Sequence, residues 1–205
     1  LNIASSGQED KSISGSLIGT DIEGDSLNFI TVDSPNNGTL SITDSTFTYT
    51  PNADFTGVDS FTYKVNDGTL ESEIATVNLS VSEVNDAPRV SNSSESGLED
   101  QQITGIFPLV EIEGDQVTFT VEESALHGSV AIIGSSFIYT PESNFKGTDS
   151  FTFIANDGAL DSEIATVTLT IGSVNDLPTV SNLRLSTNED EVITENLEGL
   201  DLDND

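Results

Sequence analysis

Sliding this sequence by 90 places lays residues 1–90 on residues 91–180 without a gap, and 42 of those 90 positions are identical. An internal repeat constrains the fold more than any other feature, because each copy must be one structural unit whose loops recur at fixed places. "FTYTPNADFTGVDSFTYKVNDGTLESEIATV" (47–77) returns as "FIYTPESNFKGTDSFTFIANDGALDSEIATV" (137–167), and "VNDAP" (84–88) returns as "VNDLP" (174–178). A third copy starts after that, with "NED" at 188–190 matching Glu99-Asp100 and Glu9-Asp10. The expected units are therefore 1–87, 88–177 and 178–205, the last being only the first 28 residues of a repeat.

Inside each copy the period is two. Phe47 and Tyr49 alternate with Thr, and so do Phe61, Tyr63 and Val65, then Ala75, Val77, Leu79 and Val81, with polar neighbours. Alternation over four to eight residues, bounded by Gly, Asn, Asp and Pro, predicts half-buried antiparallel strands. Seven fit each unit, at roughly 2–6, 12–18, 27–33, 38–43, 46–50, 59–66 and 71–82 of the first. "NNG" at 36–38 and "NDG" at 66–68 and 156–158 supply turn residues that tolerate positive φ. No stretch keeps a helical period over three turns. The expected fold class is all-β, a tandem of seven-stranded antiparallel sandwiches of the immunoglobulin kind.

Charge narrows the function. Lys and Arg number 5 against 36 Asp and Glu, a net charge of −31. Phosphate binding needs clustered cations, so nucleic acid is not an expected partner, and anionic membrane surfaces are disfavoured for the same reason. A disordered acidic chain would be poor in aromatic and β-branched residues, whereas this one is 35% hydrophobic with 10 Phe. It is expected to fold. There is no Cys, which mildly favours a bacterial exported protein or a cytosolic one over a secreted eukaryotic domain. No apolar run approaches the ~18 residues of a membrane span, and "LNIASSGQEDK" does not read as a signal peptide. The chain reads as a soluble fragment.

The acids cluster, and the clusters recur. "DIEGD" (21–25) returns as "EIEGD" (111–115), and "DLDND" follows at 201–205. A seven-strand sandwich alternates its loops between two ends. Glu9, Asp10, Asp59, Asn85 and Asp86 are expected at one end of the first unit. Glu111, Glu113, Asp115, Asn156 and Asp157 are expected at the facing end of the second, so the acidic loops should converge on the junction. The next junction would combine Glu99, Asp100, Asp149, Asn175 and Asp176 with Asp201, Asp203 and Asp205. Asp21, Glu23, Asp25, Asn66 and Asp67 repeat the set without an upstream linker and should form a weaker site.

Carboxylates and amide carbonyls without thiols, and with one His, make a hard-oxygen site. Ca²⁺ takes six to eight such oxygens, whereas Zn²⁺ and copper prefer imidazole or thiolate. Calcium is the expected cofactor. An EF-hand is rejected, because its sixth position requires Gly and these loops have Ser26 and Gln116 there. Catalysis is not expected: there is no Cys nucleophile, His127 replaces Asn37 at a turn, and the promising acids all recur at +90 instead of breaking the repeat. The Phe residues of "FTGVDSF" and "FKGTDSF" read as core, with Gly57 and Gly147 permitting a tight turn.

A unit of about 90 residues carrying "LED", then "D-x-[DE]-G-D", "F-x-YTP…F-x-G-x-DSF" and "NDG", and closing on "VND-x-P", resembles the cadherin-like tandem repeats of large bacterial RTX-type surface adhesins. The resemblance covers the whole chain. It implies calcium ligands at Glu9, at Asp59, at Asn85-Asp86 and at Glu111 and Glu113. Animal cadherins have an acid pair where this chain has only Asp59 or Asp149, and the linker acid is Glu83 in one copy but Ser173 in the other. One or two ions per junction are therefore expected.

The resemblance also implies type I secretion, folding outside the cell, and an extracellular place on the bacterial surface. There the repeats would act as calcium-rigidified extenders, holding a distal binding region away from the cell. Their partners would be neighbouring repeats of the same chain, and a host or substratum ligand through other domains. The alternative is a repeat that itself binds a glycan, a peptide or an identical repeat. For that role the divergent segments "TVDSPNN" (31–37) and "VEESALH" (121–127) are the candidates. A further alternative is an accessory β domain of a secreted enzyme.

Overall fold

A computed structural model describes residues 2–201, which fall in two compact units divided between Asn85 and Asp86. No helix occurs among the described residues, so none is long and apolar enough to cross a membrane. The first unit holds β1 (Asn2–Gln8), β2 (Ile13–Ser16), β3 (Asn28–Thr31), β4 (Gly38–Thr43), β5 (Thr46–Pro51), β6 (Gly57–Asn66) and β7 (Ala75–Ser82). They form two sheets, ordered β1-β7-β6-β3 and β2-β5-β4.

One pairing corrects the antiparallel expectation. β1 runs parallel to β7, from Asn2 opposite Thr76 to Gln8 opposite Ser82. Parallel neighbours need a long crossover, and here the rest of the unit supplies it. The alternation of residue types was legible in the sequence, but strand direction depends on which edge the first strand joins.

Between the sheets lies a core of Phe47, Tyr49, Phe61, Tyr63, Val77 and Leu79, all essentially inaccessible. These are the inward positions of β5, β6 and β7, where every second residue is buried. At about 1.5–3 kcal/mol for each large apolar side chain buried, these alternating positions drive the packing of one sheet on the other.

In the second unit β9 (Ser93–Leu98), β10 (Ile103–Ile106), β12 (Thr118–Glu123), β13 (Gly128–Ile133), β14 (Ser136–Pro141), β15 (Gly147–Asn156) and β16 (Ala165–Gly172) repeat the pattern. The sheets are β12-β15-β16-β9 and β10-β14-β13, again with the first strand parallel to the last. Two short pairs are added. β8 (Arg89–Val90) joins β11 (Leu109–Val110), and β17 (Thr179–Val180) joins β18 (Gly199–Leu200).

The turn expectations hold in part. Gly68 and Gly158 of the "NDG" turns adopt φ of +100° and +103°. In "NNG", however, neither the Asn residues nor Gly38 has positive φ. Gly38 is required by close approach instead: a Cβ there would stand 2.5 Å from the Tyr49 ring and from the Thr50 carbonyl.

Candidate functional site

The parallel β1–β7 pair brings the turn after β1 to the exit of β7. Glu9 N–H continues the ladder to the Ser82 carbonyl (3.0 Å), and Val84 N–H donates to Glu9 Oε1 (2.8 Å). The Glu9 side chain is only 3% exposed. Asp10 follows with φ +56°, and Asp54 N–H, from the turn before β6, donates to its Oδ1 (3.4 Å). In the second unit Glu99, 2% exposed, accepts from Val174 N–H (2.6 Å), and Asp100, φ +58°, accepts from Asn144 N–H (3.2 Å). A carboxylate buried to this degree in a chain with 5 Lys and Arg requires compensation from a source other than salt bridges.

Asp54 is not among the ligands expected from the sequence, whereas Asp59 is. β6 begins at Gly57, two residues earlier than its alternation suggested, so Asp59 lies inside the strand facing the core. Each of its oxygens takes two hydrogen bonds. Asn36 and Ser60 N–H donate to Oδ1 (3.1 and 2.8 Å), and Asn37 N–H and the Tyr49 hydroxyl donate to Oδ2 (2.8 and 3.0 Å).

Burial alone would raise the Asp59 pKa, but the donated N–H groups of Asn37, Ser60 and Asn36, together with Tyr49, outweigh it and hold the carboxyl below its ordinary value. Asp149 repeats this with Leu126, His127, Ser150 and Tyr139. Both tyrosines are pushed well above the usual phenol range, first by burial and then by the adjacent carboxylate. Asp59 and Asp149 are therefore anchors for the β3–β4 and β12–β13 connections, with their lone pairs already in use. The signal that separated them from Asp54 was the Gly two residues ahead, where a strand begins.

At the other end of the second unit, Glu111 Oε2 accepts from Gly114 N–H (2.5 Å) and Asp115 N–H (2.7 Å), and its Oε1 from Glu113 N–H (3.3 Å). Asp86 N–H donates to Glu113 Oε1 (3.2 Å). Glu113 Oε2 is buried with no hydrogen-bond partner. Desolvation acts to raise both glutamates. At Glu111 the N–H groups of Asp115 and Gly114 prevail, and its pKa is lowered. At Glu113 desolvation is reinforced by the adjacent Glu111 charge, and its pKa is raised.

The matching loop of the first unit is simpler. Asp25 N–H donates to Asp21 Oδ1 (2.9 Å), and Glu23 is exposed.

The "NDG" residues close their own turns. Asn66 Oδ1 accepts from Gly68 N–H (2.7 Å), and Asp67 Oδ1 from Thr69 and Leu70 N–H (2.6 and 2.7 Å). Those two backbone donors hold Asp67 below the ordinary carboxyl range. Asn156 and Asp157 repeat the arrangement with Gly158, Ala159 and Leu160. Their first task is local.

Asn175 donates from Nδ2 to the Asp176 carbonyl (3.2 Å). Asp201 ends the described chain, and Asp203 and Asp205 lie outside the described residues. His127 stacks on Phe145, ring centroids 4.3 Å apart, as an exposed turn residue.

Two facing β-sheets with a parallel first-to-last strand pair and acid-rich connections define an Ig/cadherin-like sandwich. The sequence profile of the bacterial Ig domain matches residues 2–80 and 85–170, and the chain belongs to that family. Among solved structures, human CDH23 EC21-23 is similar with a TM-score of 0.59 at 17% identity, covering 98% of this chain and 83% of that one. Mouse cadherin-23 EC22-24 gives 0.54 at 17% identity, covering 84% and 63%. These identities speak for the fold alone. Integrin beta-like protein B of Dictyostelium discoideum is 35% identical over 113 residues, 46% of this chain. The chain spans about 6% of that relative's length.

Proposed function

We propose that these repeats are calcium-rigidified extenders of a bacterial cell-surface adhesin, exported by an RTX-type route, which space a distal binding region from the cell. Domains of this fold are typically non-catalytic and extracellular, and a mechanical role needs no active site. The observation that carries the reading is the pair of nearly inaccessible glutamates, Glu9 and Glu99, each accepting the amide of the residue that begins the segment leading out of its repeat.

Buried Glu113 Oε2, without a partner and beside Glu111, is an oxygen that a divalent cation would satisfy. Within the first unit Glu9, Asp10 and Asp54, and within the second the pair Glu99 and Asp100 and the group Asp86, Glu111 and Glu113, offer only oxygen donors, the kind that Ca²⁺ takes. A bound ion would supply the positive charge that the chain lacks. Without it, two unit charges ~4 Å apart repel by roughly 4 kcal/mol at an effective dielectric near 20, which loosens the acid-bearing turns.

The test is calorimetry of the chain across a calcium titration, from excess chelator to about 10 mM, the range of extracellular modules. A midpoint that climbs with calcium, and far less with magnesium, supports the reading. A midpoint indifferent to calcium removes it.

A second reading, direct ligand binding, has one observation behind it. Asn36 and Asn37 of the divergent segment 31–37 line an open cleft of about 570 Å³ with Ser5, Ser60, Asn78 and Ser80. Ala4, Val58 and Leu79 join the lining, and a mix of amides, hydroxyls and apolar side chains suits a glycan. Specific hits on a glycan array that disappear when 31–37 is replaced by 121–127 would favour binding over spacing.

A further inference from the structure

A sheet edge presents unpaired N–H and C=O groups, and proteins guard it with charge, a bulge, proline or a short strand. In the two main sheets of the second unit, three of the four edges are guarded. β12 carries Glu122 and Glu123 and a bulge between Val121 and Glu123, β9 carries Glu95, and β10 is four residues long. The fourth edge, β13, is bare. Residues 128–141, which make β13, its turn and β14, hold no charged side chain, and neither do residues 101–110 around β10.

The first unit differs at the matching places. Asp44 stands where the second unit has Gly134, and the outward-facing Ser41 and Thr43 become Ala131 and Ile133. On the same outer face Ser16 becomes Ile106 and Thr48 becomes Ile138. Ile106 and Ile133 are 67% and 60% exposed.

The parity of the β13–β14 ladder leaves the bare edge open. Glu142 N–H donates to the His127 carbonyl (2.8 Å), so the bonded pairs of this register are 129 with 140, 131 with 138 and 133 with 136. The N–H and C=O groups of Val130 and Ile132 therefore point away from β14, to a side where no strand is paired among the described residues.

We propose that two copies of the chain join along this edge, β13 against β13 and antiparallel, about a two-fold axis at Ala131. Val130 of each copy exchanges both main-chain bonds with Ile132 of the other, Ala131 faces Ala131, and Ser129 faces Ile133. The two three-stranded sheets become one of six strands. Such a contact is isologous, the same patch serving both sides, and main-chain bonds hold it as in any strand addition. Charge selects a second copy as the occupant. A cationic partner would seek the acids, whereas two chains of net charge −31 meet with least repulsion where neither presents any. The inference gives a surface to the alternative in which a repeat binds an identical repeat, and it does not rest on calcium.

The experiment is sedimentation equilibrium of the full chain up to about 1 mM, the weak end of association, in chelator and in calcium. The wild type should rise toward the mass of two chains, more steeply as salt screens the acids. Ala131→Lys and Ala131→Glu should each stay single, because like charges would meet across the axis, and an equimolar mixture of the two should pair again. Ser41→Lys, the matching change in the first unit, should leave association unaltered. Ala131 is exposed and faces outward, so the melting midpoints of its variants should stay with the wild type and show that the fold is kept.

A wild type that stays single at every concentration overturns the proposal. So does association that both Ala131 variants retain, or that their mixture fails to restore. Equal loss in Ser41→Lys overturns the assignment to the second unit. A chain whose midpoint ignores calcium can still pair, so this inference and the calcium reading fail separately.

Discussion

The Tyr63 hydroxyl accepts the N–H of Ile18 (3.2 Å) and donates to the carbonyl of the same residue (3.0 Å). Ninety residues on, both partners have changed together: Tyr63 becomes Phe153 and Ile18 becomes Pro108. Proline has no N–H to satisfy, so the hydroxyl is dispensable there. Tyr63→Phe should destabilise the first unit by about 1–2 kcal/mol, the cost of leaving a part-buried donor unpaired. Adding Ile18→Pro should recover most of that loss. Urea unfolding of the four members of the cycle should give a coupling energy of about 1 kcal/mol, and strict additivity would show that the two positions are independent.

Asp59 and Asp149 are held by four donors each, two on either oxygen, so replacing one oxygen by an amide NH2 strands two of them. Asp59→Asn and Asp149→Asn should each cost about 3 kcal/mol at neutral pH, near the upper end for unsatisfied buried groups. Their folded pKa values lie below the unfolded value of about 3.9. The stability they contribute is therefore present in full above that value and is lost as pH falls through the lowered folded value. Urea midpoints from pH 7 to pH 3 should show the gap between wild type and variant closing only at the acid end. The loss at pH 7 should not depend on calcium.

Glu111 and Glu113 should respond in opposite directions. Glu113, raised by desolvation and by the Glu111 charge, weakens the fold as pH rises from its unfolded value through its folded one. Glu111, lowered by backbone donors, strengthens it above the unfolded value. In chelator at pH 7, Glu113→Gln should raise the melting midpoint of the second unit and Glu111→Gln should lower it. Equal effects of the two substitutions would mean that the pair is merely solvated.

These cases mark how far the sequence was legible. The repeat and its period of two carried the sandwich, because Phe47, Tyr49, Phe61 and Tyr63 all face inward as their alternation requires. The carboxylates were harder to assign, since Asp10, Asp54 and Asp59 are chemically alike and differ only in surroundings. Strand β6 beginning at Gly57 turned Asp59 into the core and left Asp54 in the turn beside Asp10. Direction was hidden as well: nothing in the alternation of β1 distinguishes a parallel neighbour from an antiparallel one. The exchange of Tyr63 with Ile18 for Phe153 with Pro108 was visible as two separate differences between copies. Only the hydrogen bonds join them.

Glu99 separates the calcium reading from a purely structural one. It is buried among the core side chains, and its carboxylate accepts the Val174 amide at 2.6 Å. If that amide were its whole purpose, Glu99→Gln would retain an acceptor oxygen and a nearly isosteric shape. The variant would then change stability by no more than about 1 kcal/mol, equally with and without calcium. If the charge serves a cation, the variant should melt near wild type in chelator but gain far less as calcium rises to about 10 mM. By linkage, a tenfold weaker affinity removes about 1.4 kcal/mol of the calcium-dependent gain at saturating ion. Asp149→Asn provides the contrast, with a large loss in chelator and an undiminished response to calcium. Calorimetry of Glu99→Gln and Asp149→Asn side by side therefore distinguishes an ion ligand from a structural anchor, and matching calcium responses in the two would remove Glu99 from the donor set.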